Sequence, residues 1–180
     1  CDNKDIIKKT LTINKKIKCH IYLIDGMSDT AYVSEYVIKP LIFAPELMQA
    51  KNIKSVIDFI DNGFIHYVAQ LKLEKTEDCI KDLLAGNAVL LFENYSLAYS
   101  FDVKAYEKRT ISTPETESVL KGAQDSFIEN FRTNTAIIRK KIQNPNLCFE
   151  YMTLGRQTNT LVALCYIKNI ANDELVKGVT

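Results

Sequence analysis

Apolar positions between residues 126 and 143 recur at helical spacing. Phe127, Ile128, Phe131, Thr135, Ile138 and Ile142 fall on one stripe, with Glu129, Arg132, Arg139 and Lys140 turned away from it. Ser126-Phe127-Ile128-Glu129 has the spacing of a capping box, which predicts a helix start near Ser126. Asn144-Pro145 ends it, because the residue before a proline is pushed out of the α region. Lys140 and Lys141 suit its negative end. The predicted helix is roughly 26 Å long at about 1.5 Å per residue.

Elsewhere the pattern alternates between the periods of strand and helix. Cys19 to Ile24 reads as a strand, Asp25-Gly26 as a turn, and Ser28 or Asp29 as the cap of a helix running to about Leu41. Tyr32, Val33, Tyr36, Val37 and Leu41 form that helix's inner face, and Pro40 and Pro45 end it. A short helix follows from Ser55 to Asn62 with Gly63 as its C-terminal cap. His66 to Glu74 alternates like a strand, Thr76 opens a helix that Gly86 closes, and Ala88 to Phe92 and Leu97 to Val103 form a hairpin. After the polar passage Arg109 to Lys121 come the helix from Ser126, strands Leu147 to Leu154 and Thr160 to Ile167 around the turn 155–159, and a helix from Asn172.

This order predicts an α/β fold of two small α/β subdomains, each with a sheet partly covered by helices. The expected division is residues 1–106 and residues 107–180. Leu161 to Ile167 is apolar on both pleat faces, which predicts a central strand covered on both sides. Two strands make too small a sheet for that, so further strands are expected from the first subdomain or from chain beyond these residues.

Composition narrows the function. The 180 residues are 47% hydrophobic and 25% charged, ordinary globular material with length enough for one core or two small ones. A net charge of +1 gives no long-range attraction for nucleic acid. No apolar run approaches the roughly 18–20 residues of a membrane helix, and no leader pattern is visible. Opening on Cys1 rather than Met fits an excised piece of a larger protein.

Signals for catalysis are sparse. Cys1, Cys19, Cys79, Cys148 and Cys165 are widely spaced without a C-x-x-C pair, and His20 and His66 each stand alone in a predicted strand. No phosphate-binding, zinc-hydrolase or nucleophile-elbow motif occurs, so neither catalytic residues, a metal site nor a cofactor is assigned, and the chain is expected not to be an enzyme. Four residues stand out as ligand or coupling candidates. Asp25 occupies a strand-to-helix turn, where a carboxylate bonds local amides or binds a cation or polar ligand. Arg132 and Arg139 lie two turns apart on one flank of the helix, where an ion-paired or solvated face competes with binding of a carboxylate ligand or acidic partner. Asn134 falls on the apolar stripe and is expected to point inward and clamp neighbouring backbone, with ligand binding as the alternative.

Gly122, Phe127, Glu129, Arg132, Asn134, Arg139, Asn144-Pro145, Leu147, Gly155, Thr160, Val162 and Tyr166 together resemble the signature stretch of the GerA spore germination family, the A subunits of receptors that sense nutrients in dormant spores. Tyr22-Leu23-Ile24-Asp25-Gly26, Lys39-Pro40-Leu41, and Arg109-Thr110-Ile111 with Pro114, Thr116 and Glu117 extend the resemblance from about Asp5 to Val176. Lys121-Gly122-Ala123 departs from the family's usual Arg-Gly-Pro, and Phe92-Glu93-Asn94-Tyr95 from its second Asp-Gly turn. The resemblance implies a regulatory or sensing domain on the cytoplasmic (core) side of the spore inner membrane. It also implies other receptor subunits as partners, membrane attachment through a C-terminal region absent from these residues, and a small-molecule nutrient or ion as stimulus. The alternative it leaves open is a small-molecule binding domain with its ligand between the subdomains.

Overall fold

The computed structural model describes residues 3–63, 65, 70–105 and 127–179. Its larger sheet has five strands in the order β1-β2-β4-β5-β3, all antiparallel: β1 (Ile6–Ile13), β2 (Ile17–Ile24), β3 (Gln70–Leu73), β4 (Ala88–Phe92) and β5 (Ala98–Phe101). The chain is thus mixed α/β, as the alternating periods predict. β1 has no counterpart in the sequence reading because Lys8 and Lys9 interrupt its alternation. Its hairpin is carried by Asn14 and Lys15, both in the left-handed region, which pair Ile13 with Ile17.

Strand alternation gives the sheet two buried faces. On one, Ile21, Leu90, Tyr99 and Phe101 pack against Val33, Val37, Leu41, Leu47, Val56 and Ile60. Those residues come from α1 (Thr30–Val33), a π-helical turn (Ser34–Ile38), α2 (Lys39–Phe43), a 3-10 turn (Pro45–Gln49) and α3 (Ile53–Asp61). Asp29 caps α1 by accepting from the Tyr32 amide, and Asn52 caps α3 through the Ser55 amide.

Two expectations for this helical stretch are corrected. Pro40 does not end it, and Tyr36 is exposed rather than inward. The π turn explains both. Lys39 N–H donates five residues back to Ser34 O, which adds a residue to the turn and rotates Tyr36 off the 3.6-residue wheel. Pro40, which has no amide to donate, then stands in the first turn of α2, where none is required.

On the other face, Ile24 and Met27 pack with Leu84 of α4 (Thr76–Leu84) and with Ala136 of α5 (Phe131–Lys141). α5 begins four residues later than the capping-box spacing predicts. Asn130, not Ser126, is the cap, its Oδ1 accepting from the amides of Arg132 and Thr133. Residues 127–130 are non-helical, which leaves Phe127 and Ile128 exposed. Ser126 lies outside the described residues, as do the passage Arg109 to Lys121, His66 and the expected 106/107 junction.

β6 (Leu147–Leu154) and β7 (Thr160–Ile167) form a separate two-stranded antiparallel sheet, followed by α6 (Asp173–Val179). The expectation of a central, doubly covered β7 is not met within the described residues. Among the described residues β7 pairs only with β6, and its side chains are half-buried or exposed. Apolarity on both faces signals a strand that needs covering; it cannot supply the cover.

Candidate functional site

Arg132, Asn134 and Arg139 lie along α5, which packs on the Asp25-Gly26 turn at the end of β2; Asp25 and Arg132 meet, while Asn134 and Arg139 take other partners. The Asp25-Gly26 turn ends β2 with Gly26 at φ +79°, a left-handed conformation that favours glycine. A Cβ added there would sit 2.8 Å from Arg132 O and 3.1 Å from Ala136 Cβ. Glycine therefore serves twice, making the turn and letting α5 lie directly on it. Asp25 and Arg132 come together in this approach, with Asp25 Oδ2 3.3 Å from Arg132 Nε. Arg132 is 73% exposed and Asp25 21%, so solvent screens the pair.

Arg139 corrects the surface reading. Its side chain is the largest among those fully buried, and its guanidinium is satisfied almost entirely by protein. Nε and Nη2 donate to Asp5 Oδ2 at 2.9 and 2.7 Å, Nη1 donates to Asn144 O at 3.3 Å, and Nη2 also reaches Leu147 O at 3.1 Å. Phe149 lies beneath the guanidinium carbon, 5.1 Å from ring centroid. Placing Arg139 outside the stripe was right for the wheel of an isolated helix. Asp5, 134 residues away in sequence, and the head of β6 close over that flank and turn it into an interior.

Asn134 is half-buried rather than interior, and both ends of its amide are used. Oδ1 accepts from Ile128 N–H at 2.8 Å and Nδ2 donates to Ile128 O at 2.7 Å, a two-way clamp that holds the entry to α5. Thr135 Oγ1 donates to Arg132 O, and Phe131 meets the Tyr151 ring edge-on at 5.1 Å between centroids. Burial beside α5 pushes the Tyr151 hydroxyl above its ordinary value, against the opposing hydrogen bond with Thr135.

Asp5, Asn3 and Tyr151 belong to this junction and escaped the sequence reading, which placed Thr135 only on the apolar stripe. Asn3 Oδ1 accepts from Phe149 N–H at 3.2 Å, a second tie from the start of β1 to β6. Neither Asn3 nor Asp5 sits in a motif, and only the tertiary approach of distant segments exposes its role. Asp5 Oδ1 is buried with no hydrogen-bond partner among the described residues. Among the described residues no group of three or more His, Cys, Asp or Glu side chains is placed to hold a metal, and no helix is long and apolar enough to cross a membrane.

The junction is a structural clamp, with its charges spent on one another. Two carboxylates and two guanidinium groups tie α5 and the β6-β7 hairpin to the first two strands of the large sheet. The family model for the Bacillus/Clostridium GerA spore germination protein matches residues 1–180, and the chain belongs to that family. Spore germination protein B1 of Bacillus subtilis (strain 168) is 34% identical over 192 residues, covering 99% of this chain and 38% of that protein. Stage V sporulation protein AF of the same organism is 31% identical over 178 residues, covering 96% and 34%. The chain therefore spans little more than a third of the length of these relatives. The crystal structure of the N-terminal domain of the A subunit of the Bacillus megaterium spore germinant receptor GerK3 shares the fold. Its TM-score is 0.77 at 24% identity, over 99% of this chain and 64% of that one.

Proposed function

We propose that this chain is the sensing and coupling domain of an A-type germinant receptor subunit, which passes nutrient detection to a membrane-associated assembly. The observation that carries the reading is the buried Arg139–Asp5 pair, which joins the head of β1, α5 and the start of β6 into one body. A domain that relays a conformational signal needs rigid connections between its parts, because packed elements transmit displacement only when they move together. The names of the relatives carry the setting, spore germination and receptor subunits, to this chain. On this reading its partners are other receptor subunits, its place is the core side of the spore inner membrane, and its stimulus is a small nutrient or ion.

Dipicolinate release tests the reading. Spores lacking the gene are complemented with the intact gene or with Arg139→Met, then exposed to panels of amino acids, nucleosides and salts. The deletion is expected to lose one class of response and the intact gene to restore it. Arg139→Met is expected to restore it poorly at matched receptor abundance. Full restoration by Arg139→Met at that abundance would refute coupling through the clamp.

A further inference from the structure

Lysines gather around the tip of the β1-β2 hairpin. Residues 6–24 carry Lys8, Lys9, Lys15, Lys16 and Lys18 without an aspartate or glutamate, and residues 47–57 carry Lys51 and Lys54, again without an acid. Tertiary structure joins the two runs, because Asn14 Nδ2 at the tip donates to Ala50 O at 3.0 Å. Lys15, Lys16, Lys18, Lys51 and Lys54 are all exposed, and among the described residues none of them is ion-paired. The overall charge of +1 conceals this local excess. Glu93 N–H donates to Lys18 O, but its carboxylate faces His20 Nε2 at 3.4 Å; Glu46, exposed on the 3-10 turn, is the other acid on this side.

Two of these lysines occupy positions that backbone physics disfavours. Lys16 N–H donates to Ile13 O at 3.1 Å across Asn14 and Lys15, whose φ values are +46° and +56°. A turn with both central residues left-handed favours glycine at the second, where Lys15 stands. Lys54 lies in the first turn of α3, at the positive end of the helix dipole. Lys8 and Lys9 differ, since on the outermost strand of the sheet positive charge blunts edge pairing. Apolar side chains stand beside the charge: the segment leading to Ala50 leaves Phe43 64% and Met48 59% exposed, and Ala50 N–H closes the turn that holds Met48 by donating to Leu47 O.

We propose that this hairpin tip and the turn tied to it dock on an anionic lipid surface, the lysines over headgroup phosphates and Phe43 and Met48 entering the headgroup layer. Charge complementarity selects an anionic partner, each lysine near such a surface being worth about fivefold in binding constant. The exposed Phe43 and Met48 select a lipid layer over a nucleic acid or an acidic protein segment, because basic and apolar side chains side by side match the boundary between headgroups and acyl chains. Every cation here is a lysine, no arginine preceding Arg109. A compact ammonium suits a diffuse layer of charge, whereas bidentate recognition of phosphate or carboxylate draws on the arginine fork. The proposal shares with the coupling reading only its membrane setting, and it is tested without spores, so either can fail alone.

Co-sedimentation of the purified chain with lipid vesicles decides it. Phosphatidylcholine vesicles with about one-third phosphatidylglycerol are expected to bind the chain and pure phosphatidylcholine vesicles not to. Raising salt from about 0.1 M to about 1 M, which shortens the screening length from about 10 Å to about 3 Å, is expected to release it. Lys15→Gly with Lys16→Gln and Lys54→Gln is expected to weaken binding on the order of a hundredfold. Thermal stability should hold or rise in that variant, because glycine suits the turn and a neutral side chain suits the start of α3. Phe43→Ser is expected to weaken vesicle binding several-fold and to leave binding of a polyglutamate peptide unchanged. No binding to the anionic vesicles, equal binding to neutral ones, or undiminished binding by the folded triple variant would overturn the proposal. Tighter binding of polyglutamate or of an oligonucleotide than of the anionic vesicles would assign the lysines to another polyanion and overturn it equally.

Discussion

Arg132 and Arg139 stand two turns apart on one helix, yet their substitution has unequal consequences. Removing Arg139 leaves the Asp5 carboxylate, 2% exposed, without its buried counter-charge. Breaking a buried pair in this way costs about 3–5 kcal/mol. Arg139→Met is therefore expected to lower unfolding free energy by that order in urea titration, while Asp5→Asn with Arg139→Met recovers part of the loss. Arg132→Ala removes a screened surface pair and is expected to change stability by less than about 1 kcal/mol. Cys19 offers a pH test, since burial pushes its thiol from 9.0 up to about 12. The unfolded chain releases that proton first, so the folded state binds more protons between these values. The Cys19 contribution is thus intact below pH 9 and is lost as pH rises toward 12. Cys19→Ala is expected to flatten the decline of stability across that window, measured by urea titration at successive pH values.

At the scale of elements, the turn after β2 sets where α5 lies. Gly26 and Gly63 both have positive φ, +79° and +76°, but among the described residues a Cβ at Gly63 meets nothing within 4 Å whereas one at Gly26 meets Arg132 O. Alanine at Gly63 carries only the backbone strain, on the order of 1 kcal/mol. Gly26→Ala adds displacement of α5 and is expected to destabilise more, with faster exchange of α5 amides than in Gly63→Ala. The sequence allows the turn to be read from Asp25-Gly26, but nothing near it names its neighbour. The same holds for the α5 cap. Ser126 to Glu129 has the right spacing, yet Asn130 and the Asn134 clamp on Ile128 set the helix start. A local motif competes with another local motif, and the fold chooses between them.

For the whole molecule, the two sheets are tied at several points: Asp5 to Arg139, Asn3 to Phe149, Asp25 to Arg132, and Gly26 against α5. Such ties make the parts unfold together, so one denaturation transition is expected, coincident by far-ultraviolet circular dichroism and by hydrogen exchange of β4 and β6. In Arg139→Met the exchange of β6 is expected to separate from that of β4. Persisting coincidence would show that the remaining ties suffice.

Local periodicity was enough for most elements: the helices around 30–43 and 53–61, the β4-β5 and β6-β7 hairpins, and the glycine stops at Gly63 and Gly86 all follow from residues within one or two turns of each other. Family membership was legible for the same reason, since its signature is a run of short motifs in fixed order. Tertiary structure alone decided the burial of Arg139 and the seat of α5 on Gly26, each of which depends on what a distant segment brings to the spot. The π turn that rotates Tyr36 and the Asn130 cap of α5 are local geometries that the 3.6-residue wheel and the capping-box spacing do not reveal. Amphipathic patterns record which side of an element dislikes water; they do not record which charged group another part of the chain will meet there and neutralise.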